Sequence, residues 1–125
     1  MSAAATLVEA LQPLRADPAR AAILLDIDGT LAPIVRHSED AHVPEPTRAP
    51  LIAIAKRYAV VGCISGRQAT TARRIVSLGS IAYVGNHGAE LLAPGGTAVE
   101  IDPEIAAHEQ SVRRFARDEC EGALA

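Results

Sequence analysis

Apolar residues fall along this chain in two rhythms. Three unbroken runs, Ile23-Leu24-Leu25, Tyr58-Ala59-Val60-Val61-Gly62-Cys63-Ile64 and Ile81-Ala82-Tyr83-Val84, read as buried strands. Each opens into small polar residues: Asp26-Ile27-Asp28-Gly29-Thr30 after the first, Ser65-Gly66-Arg67 after the second, Gly85-Asn86-His87-Gly88 after the third. Between the runs, apolar positions recur at helical spacing. Thr47 caps a helix through Arg57 that turns Leu51, Ile52, Ala55 and Ala59 toward the sheet, with Pro50 in the tolerated first turn. Ser65 caps the next, which carries Ala69, Ala72, Ile75 and Val76 inward and stops at Gly79. Ahead of the first strand, Thr6 and Glu9 match a capping box for a helix from Leu7 to about Arg15, weakened at its end by Pro13.

Strand, helix, strand units joined by right-handed crossovers make the strands parallel, so the expected class is α/β: a Rossmann-like parallel sheet with helices on both faces. Residues 32–46, with Pro33, Pro44 and Pro46 and no period, read as a loop leading away. Beyond Glu90 the pattern changes. Leu91-Leu92-Ala93, Pro94-Gly95-Gly96-Thr97 and Ala98-Val99-Glu100-Ile101 form a short hairpin, and Asp102-Pro103 opens a last amphipathic helix with Ile105, Val112, Phe115 and Ala116 on one side.

Parallel strands share one carboxyl edge, and ligands of open sheets sit in the crevice outside it, so the three polar clusters are expected to converge. Asp26 can act as a nucleophile, and Asp28 can hand a proton to a leaving group and take one back from water. Gly29 permits backbone angles that let main-chain N–H groups close around an anion. The helix after Ser65 points its positive end at the same place, which favours a phosphate. For the remaining residues a plainer role stands beside the chemical one. Thr30 satisfies turn amides or orients Asp28, and Ser65 is a helix cap, a phosphate contact or both. Arg67 is a solvated first-turn residue or a substrate contact. Asn86 and His87 stabilise a tight turn or lie near the substrate, and Glu90 is the least defined.

With 125 residues and 49% hydrophobic content the chain fits one domain with a core. A net charge of −3 and 2% aromatic residues give no electrostatic grip or stacking platform for nucleic acid. Cys63 reads as a buried thiol, and Cys120 is too distant to suggest a metal pair. His37, His42 and His108 lack zinc-ligand spacing, and Arg113, Arg114 and Arg117 read as a solvated edge. The N-terminus has no basic region before its apolar residues and no run is long enough to span a bilayer, so no membrane association and a cytoplasmic location are expected.

Asp26-Ile27-Asp28-Gly29-Thr30-Leu31-Ala32-Pro33-Ile34 resembles the first motif of the haloacid dehalogenase-like (HAD-like) phosphatases, in the form found in trehalose-6-phosphate phosphatases. Ile64-Ser65-Gly66-Arg67 and Gly85-Asn86-His87-Gly88-Ala89-Glu90 resemble two further segments of that branch, so the resemblance covers roughly residues 20–92. It implies a HAD-like core with Asp26 as nucleophile, Asp28 as acid and base, and Mg2+ on an Asp26 carboxylate oxygen and the Asp28 carbonyl. It further implies a phosphate held by Gly29, Thr30, Ser65 and Gly66, with Arg67, Asn86 and His87 near the substrate, trehalose 6-phosphate or another sugar phosphate.

Two expected parts have no match. Lys56, the only lysine, ends the helix before the second strand and so lies at the edge opposite Asp26, and Asp118-Glu119 sits in a charged helical tail rather than after a strand. The chain therefore reads as one partial core domain over 1–125, with the hairpin and helix over 91–120 and the cap and later motifs missing. Little or no turnover alone is expected, as is a complementing C-terminal half or self-association. A noncatalytic module that binds phosphate or a partner is the alternative.

Overall fold

The computed structural model describes residues 2–120. Five strands lie side by side in sequence order: β1 (Ala22–Asp26), β2 (Val60–Ile64), β3 (Ala82–Gly85), β4 (Glu90–Leu92) and β5 (Glu100–Ile101). β1, β2 and β3 are parallel, in the register Asp26 beside Ile64 and Ile64 beside Val84, so their carboxyl ends form one edge. β4 and β5 run antiparallel, adding the expected hairpin to the far side of β3.

Three helices precede or cross between the parallel strands, α1 (Ala3–Ala16), α2 (Glu45–Arg57) and α3 (Ala69–Val76), and α4 (Pro103–Phe115) follows the hairpin. Alternation along the strands decides what the helices cover. Val61 and Cys63 of β2, Tyr83 of β3 and Leu92 of β4 share one face and are buried with Leu51 of α2 and with Ala69, Ala72, Ile75 and Val76 of α3. The opposite face carries Leu24, Val60, Ile64 and Leu91 at 59%, 51%, 44% and 41% exposure. The sheet is thus helix-covered on one side, and the second helical layer of the expected architecture is not found among the described residues.

Helix starts differ from the sequence pattern for identifiable reasons. α1 begins at Ala3 because the Ser2 hydroxyl accepts the Ala5 N–H (3.2 Å), while the Thr6 hydroxyl donates back to the Ser2 carbonyl (3.2 Å). α2 begins at Glu45 with Pro44 at its cap, which puts Pro46 in the first turn and Pro50 inside the helix rather than at its start. Leu51, Ile54 and Ala55 are its residues against the core, one turn-related stripe displaced from the expected Ile52 and Ala59.

α3 carries the expected four inward residues but is capped by Gln68, and it ends at Ser77, whose left-handed conformation (φ 59°) replaces a stop at Gly79. Arg48 of α2 holds that end by donating from Nε and Nη2 to the Ser77 carbonyl (3.2 and 2.6 Å). α4 starts where expected, the Asp102 carboxylate accepting the Glu104 N–H at 2.8 Å. No helix among the described residues is long and apolar enough to cross a membrane.

Candidate active site

The three polar clusters do meet at the shared carboxyl edge. Arg67, in the turn after β2, reaches across to the loop after β1 and donates from Nε to Asp28 Oδ2 (2.9 Å) and from Nη2 to Asp28 Oδ1 (2.8 Å). This bidentate fork holds the Asp28 carboxyl below the usual carboxylate range, hydrogen bonding outweighing the opposing effect of partial burial. The same pairing holds the guanidinium above its ordinary value. Arg67 is therefore neither solvated nor free; it is bound to the expected acid and base.

The turn Ser65-Gly66-Arg67 is built from within and from behind. The buried Ser65 hydroxyl accepts the Arg67 N–H (3.0 Å), so it caps its own turn and leaves α3 to Gln68. From the third cluster, Asn86 N–H donates to the Arg67 carbonyl (2.7 Å) and His87 N–H to the Ser65 carbonyl (3.1 Å). Asn86 and His87 take positive φ (50° and 56°), the tight turn that the sequence offers as their plainer role. The His87 ring lies over Gly66: a Cβ at position 66 would come within 2.5 Å of it. Gly85 is packed closer still, its absent Cβ falling 2.3 Å from the Ala69 amide nitrogen. The Glu90 carboxylate then accepts the Ala69 N–H at 3.0 Å.

In the first loop Gly29 has φ +80°, as its turn requires, but its N–H donates to the Ala32 carbonyl (2.8 Å) and that of Thr30 to Ile27 (3.1 Å). Those two amides close the loop on itself and are not offered to an anion, contrary to expectation. Likewise the first amide of α3 is taken by Glu90. The Gly66 N–H, beside the Ser65 hydroxyl, is among the amides of the three clusters that donate to no protein acceptor among the described residues, and the Asp28 N–H is another.

Asp26 ends β1 with its side chain exposed, and its carboxylate makes no hydrogen bond or ion pair among the described residues. The Asp28 carbonyl takes no part in the two bonds that tie this loop to Ala32. These two hard oxygens fit a Mg2+ that keeps most of its waters. Among the described residues no cluster of three acidic, histidine or cysteine side chains completes a metal cage. Asp118 and Glu119 lie exposed in the π turn 116–120. Lys56 is exposed in the last turn of α2, at the amino end of β2 and so away from Asp26.

The sequence reading missed two features. Residues 32–46 do not lead away: Ala41 and Val43 are buried, Val43 N–H donates to Ile75 (3.2 Å), and the Ser38 carbonyl accepts from Arg67 Nη1 at 3.4 Å. The Arg67–Asp28 pair was the other. The register supplies its signal, because Asp26 sits beside Ile64, so residues two and three places further on fall opposite each other. His37, His42 and His108 are exposed as expected, and Cys63 is a buried free thiol.

A mainly parallel sheet with aspartate-, serine- and histidine-bearing loops gathered at one carboxyl edge is a HAD-like core. The fold matches a haloacid dehalogenase-like hydrolase from B. subtilis (TM-score 0.50, 19% identity, 78% of this chain and 34% of that one). It also matches the C-terminal domain of trehalose-6-phosphate phosphatase from C. albicans (TM-score 0.66, 19% identity, 87% and 39%). Within that class, the trehalose-phosphatase family matches residues 24–120, and the chain belongs to it. A curated relative, the trehalose-phosphate phosphatase of Mycobacterium ulcerans, is 39% identical over 80 residues, 62% of this chain and 20% of that protein. The chain spans about a fifth of the length of the curated trehalose-phosphate phosphatases it matches.

Proposed function

We propose that this chain carries the nucleophile-bearing part of a phosphatase core acting on trehalose 6-phosphate. The observation that carries the reading is the meeting of three loops on one turn: Arg67 grips Asp28 while Asn86 and His87 hold the turn's carbonyls. In this reading the Gly66 amide and Ser65 hydroxyl would hold an anion beside the exposed Asp26. Family membership supports a sugar phosphate as the substrate.

In the proposed reaction an Asp26 carboxylate oxygen attacks phosphorus, and the bond from phosphorus to the sugar oxygen breaks. The leaving oxygen takes its proton from Asp28. Water, giving its proton to Asp28, then attacks phosphorus, and the bond to Asp26 breaks to release phosphate and restore the carboxylate. As held by Arg67, Asp28 is in its base form; when the guanidinium turns from it to the substrate phosphate, Asp28 takes a proton from solvent, and that proton is the one it passes to the leaving oxygen. Asp26 and the Asp28 carbonyl are the groups that would hold Mg2+, which when bound neutralises phosphate charge. An open cleft of about 480 Å3, bordered by Asn86, Glu90, Ile101 and Ile105, adjoins the turn and is the proposed seat of the sugar.

We place the phosphate-holding lysine and the last acidic ligand outside this sequence, so the 125-residue chain alone should turn over little substrate. In this proposal residues 1–125 form one partial core domain and the protein works in the cytoplasm. The test is Mg2+-dependent phosphate release from trehalose 6-phosphate and a panel of hexose phosphates, using the longest natural polypeptide that carries this sequence. Preference for trehalose 6-phosphate, abolished by Asp26→Asn, is expected. Preference for another sugar phosphate shifts the assignment within the class. Phosphate binding without turnover in the longest form favours a noncatalytic module, and robust turnover by the 125-residue chain overturns the incompleteness.

A further inference from the structure

Glu90 borders the cleft proposed above for the sugar, and its carboxylate also reaches the start of α3. Gln68, the capping residue of that helix, makes no side-chain cap bond, and the Ala69 N–H is satisfied instead by Glu90 Oε2 at 3.0 Å. A helix cap supplied from 21 residues further along is unusual in what it fixes. Ala69 is fully buried and Gly85 presses on its backbone, leaving no room for the third loop to shift while α3 stays where it is. Two residues before Ala69 stands Arg67, whose carbonyl is bound by the Asn86 N–H (2.7 Å) and whose guanidinium spans to Asp28.

We propose that Glu90 is a positioning residue: by anchoring the Ala69 amide it fixes the path of Ser65-Gly66-Arg67, and through that path the fork of Arg67 on Asp28. The inference rests on reading this turn as the anion-holding element, but its mechanical content does not depend on turnover. The chain from Glu90 to Asp28 is continuous: carboxylate to Ala69 amide, two backbone links to Arg67, then two charge-assisted bonds. A bidentate fork tolerates little misplacement, because both N–H vectors are fixed by one plane. Releasing Ala69 frees the first turn of α3 to fray, and Arg67 stands just beyond its Gln68 cap.

Glu90 also disposes of an alternative anion seat. Its carboxylate occupies the first α3 amide and sets a negative charge at the helix start, which disfavours a phosphate there relative to the Gly66 N–H and Ser65 hydroxyl. The hydrogen bond and the charge are separable by substitution. Glu90→Gln keeps an acceptor of the same reach without charge, whereas Glu90→Asp keeps the charge but is one methylene too short to bridge to Ala69.

The reporter is the Arg67 Nε–H resonance of the isotope-labelled 125-residue chain, read by NMR for shift and for exchange with water. In the unmodified chain it is expected to be displaced and slowly exchanging, and Asp28→Asn should move it to the position of the solvated arginines. Glu90→Gln should retain it. Glu90→Ala and Glu90→Asp should lose the displacement and speed exchange at least tenfold, while the Tyr83 and Leu92 amides keep their wild-type shifts. A purely structural cap lowers the melting temperature without touching the Arg67 signal below the transition, so an unmoved signal in Glu90→Asp overturns the proposal even if Glu90→Ala does not fold. A signal insensitive to Asp28→Asn overturns it too, by showing that the fork is not formed. None of these readouts uses phosphate release, so a failed phosphatase assay and a failed positioning role are told apart.

Discussion

At the residue scale, Cys63 shows how position rather than residue type sets chemistry. Burial in the sheet, assisted by the negative charge of Asp26, pushes its thiol up to about 11 from the ordinary 9.0. Iodoacetamide at pH 8 should therefore leave Cys63 unmodified in the folded chain and alkylate it in urea, as read by mass spectrometry of the Cys63 peptide. Fast native alkylation would mean the thiol is not in the core. The same shift has a stability sign. The fold favours the neutral thiol, so its contribution is whole below pH 9 and is lost as pH climbs from about 9 to about 11. Tyr83 beside it is likewise pushed upward by burial, and its hydroxyl donates to the Leu78 carbonyl at 2.5 Å. Tyr83→Phe leaves that acceptor without its partner and should cost about 1–3 kcal/mol in urea unfolding.

Glycines at the site divide by what a methyl group would meet. Gly66→Ala is met by the His87 ring, a side chain, whereas Gly85→Ala is met by the backbone of Ala69 and Arg67. The first displaces an exposed ring at small cost to stability; the second forces the third loop away from α3 at about 1–3 kcal/mol. Equal destabilisation in paired urea titrations would contradict the packing described.

At the scale of elements, the strands and their order of residues were legible because unbroken apolar runs have one economical fate in a parallel sheet. The inward stripe Ala69, Ala72, Ile75 and Val76 was legible for the same reason, as periodicity is itself the packing pattern. Helix starts were less so. Ser65 and Thr6 are good cap residues by composition, but Ser65 spends its hydroxyl on a turn two residues long, and a cap reaching from Glu90 leaves no local trace. The loop 32–46 misled because prolines mark irregular backbone without saying where it packs.

α4 offers a clean test at this scale. It has no buried residue and depends on its Asp102 cap, so Asp102→Ala should cost it about 0.5–2 kcal/mol. Hydrogen exchange should quicken over α4 while β1, β2 and β3 keep their protection. Parallel loss in the sheet would show that α4 is integral to the core.

For the whole molecule, the site and the sheet stand in different states of completion. The carboxyl edge is stitched together by side chains and amides from three loops, but the face bearing Leu24, Val60, Ile64 and Leu91 is open. Contiguous apolar surface of this kind promotes association. Leu24→Lys with Leu91→Lys should reduce light scattering at high concentration and change unfolding free energy by less than about 0.5 kcal/mol. A loss of several kcal/mol would mean that this face is packed in solution. The family's first motifs were readable from residues 20–92 because they are contiguous in sequence. The Arg67–Asp28 fork, 39 residues apart, exists only once the register is set.

The most direct test of a single anion site at this edge is an NMR titration of the labelled 125-residue chain with inorganic phosphate in the presence and absence of Mg2+. The Ser65, Gly66 and Asp26 amides should shift together, only with Mg2+ present, and Asp26→Asn should abolish the response. Shifts confined to α4 or its arginine edge, or indifferent to Asp26, would contradict the account.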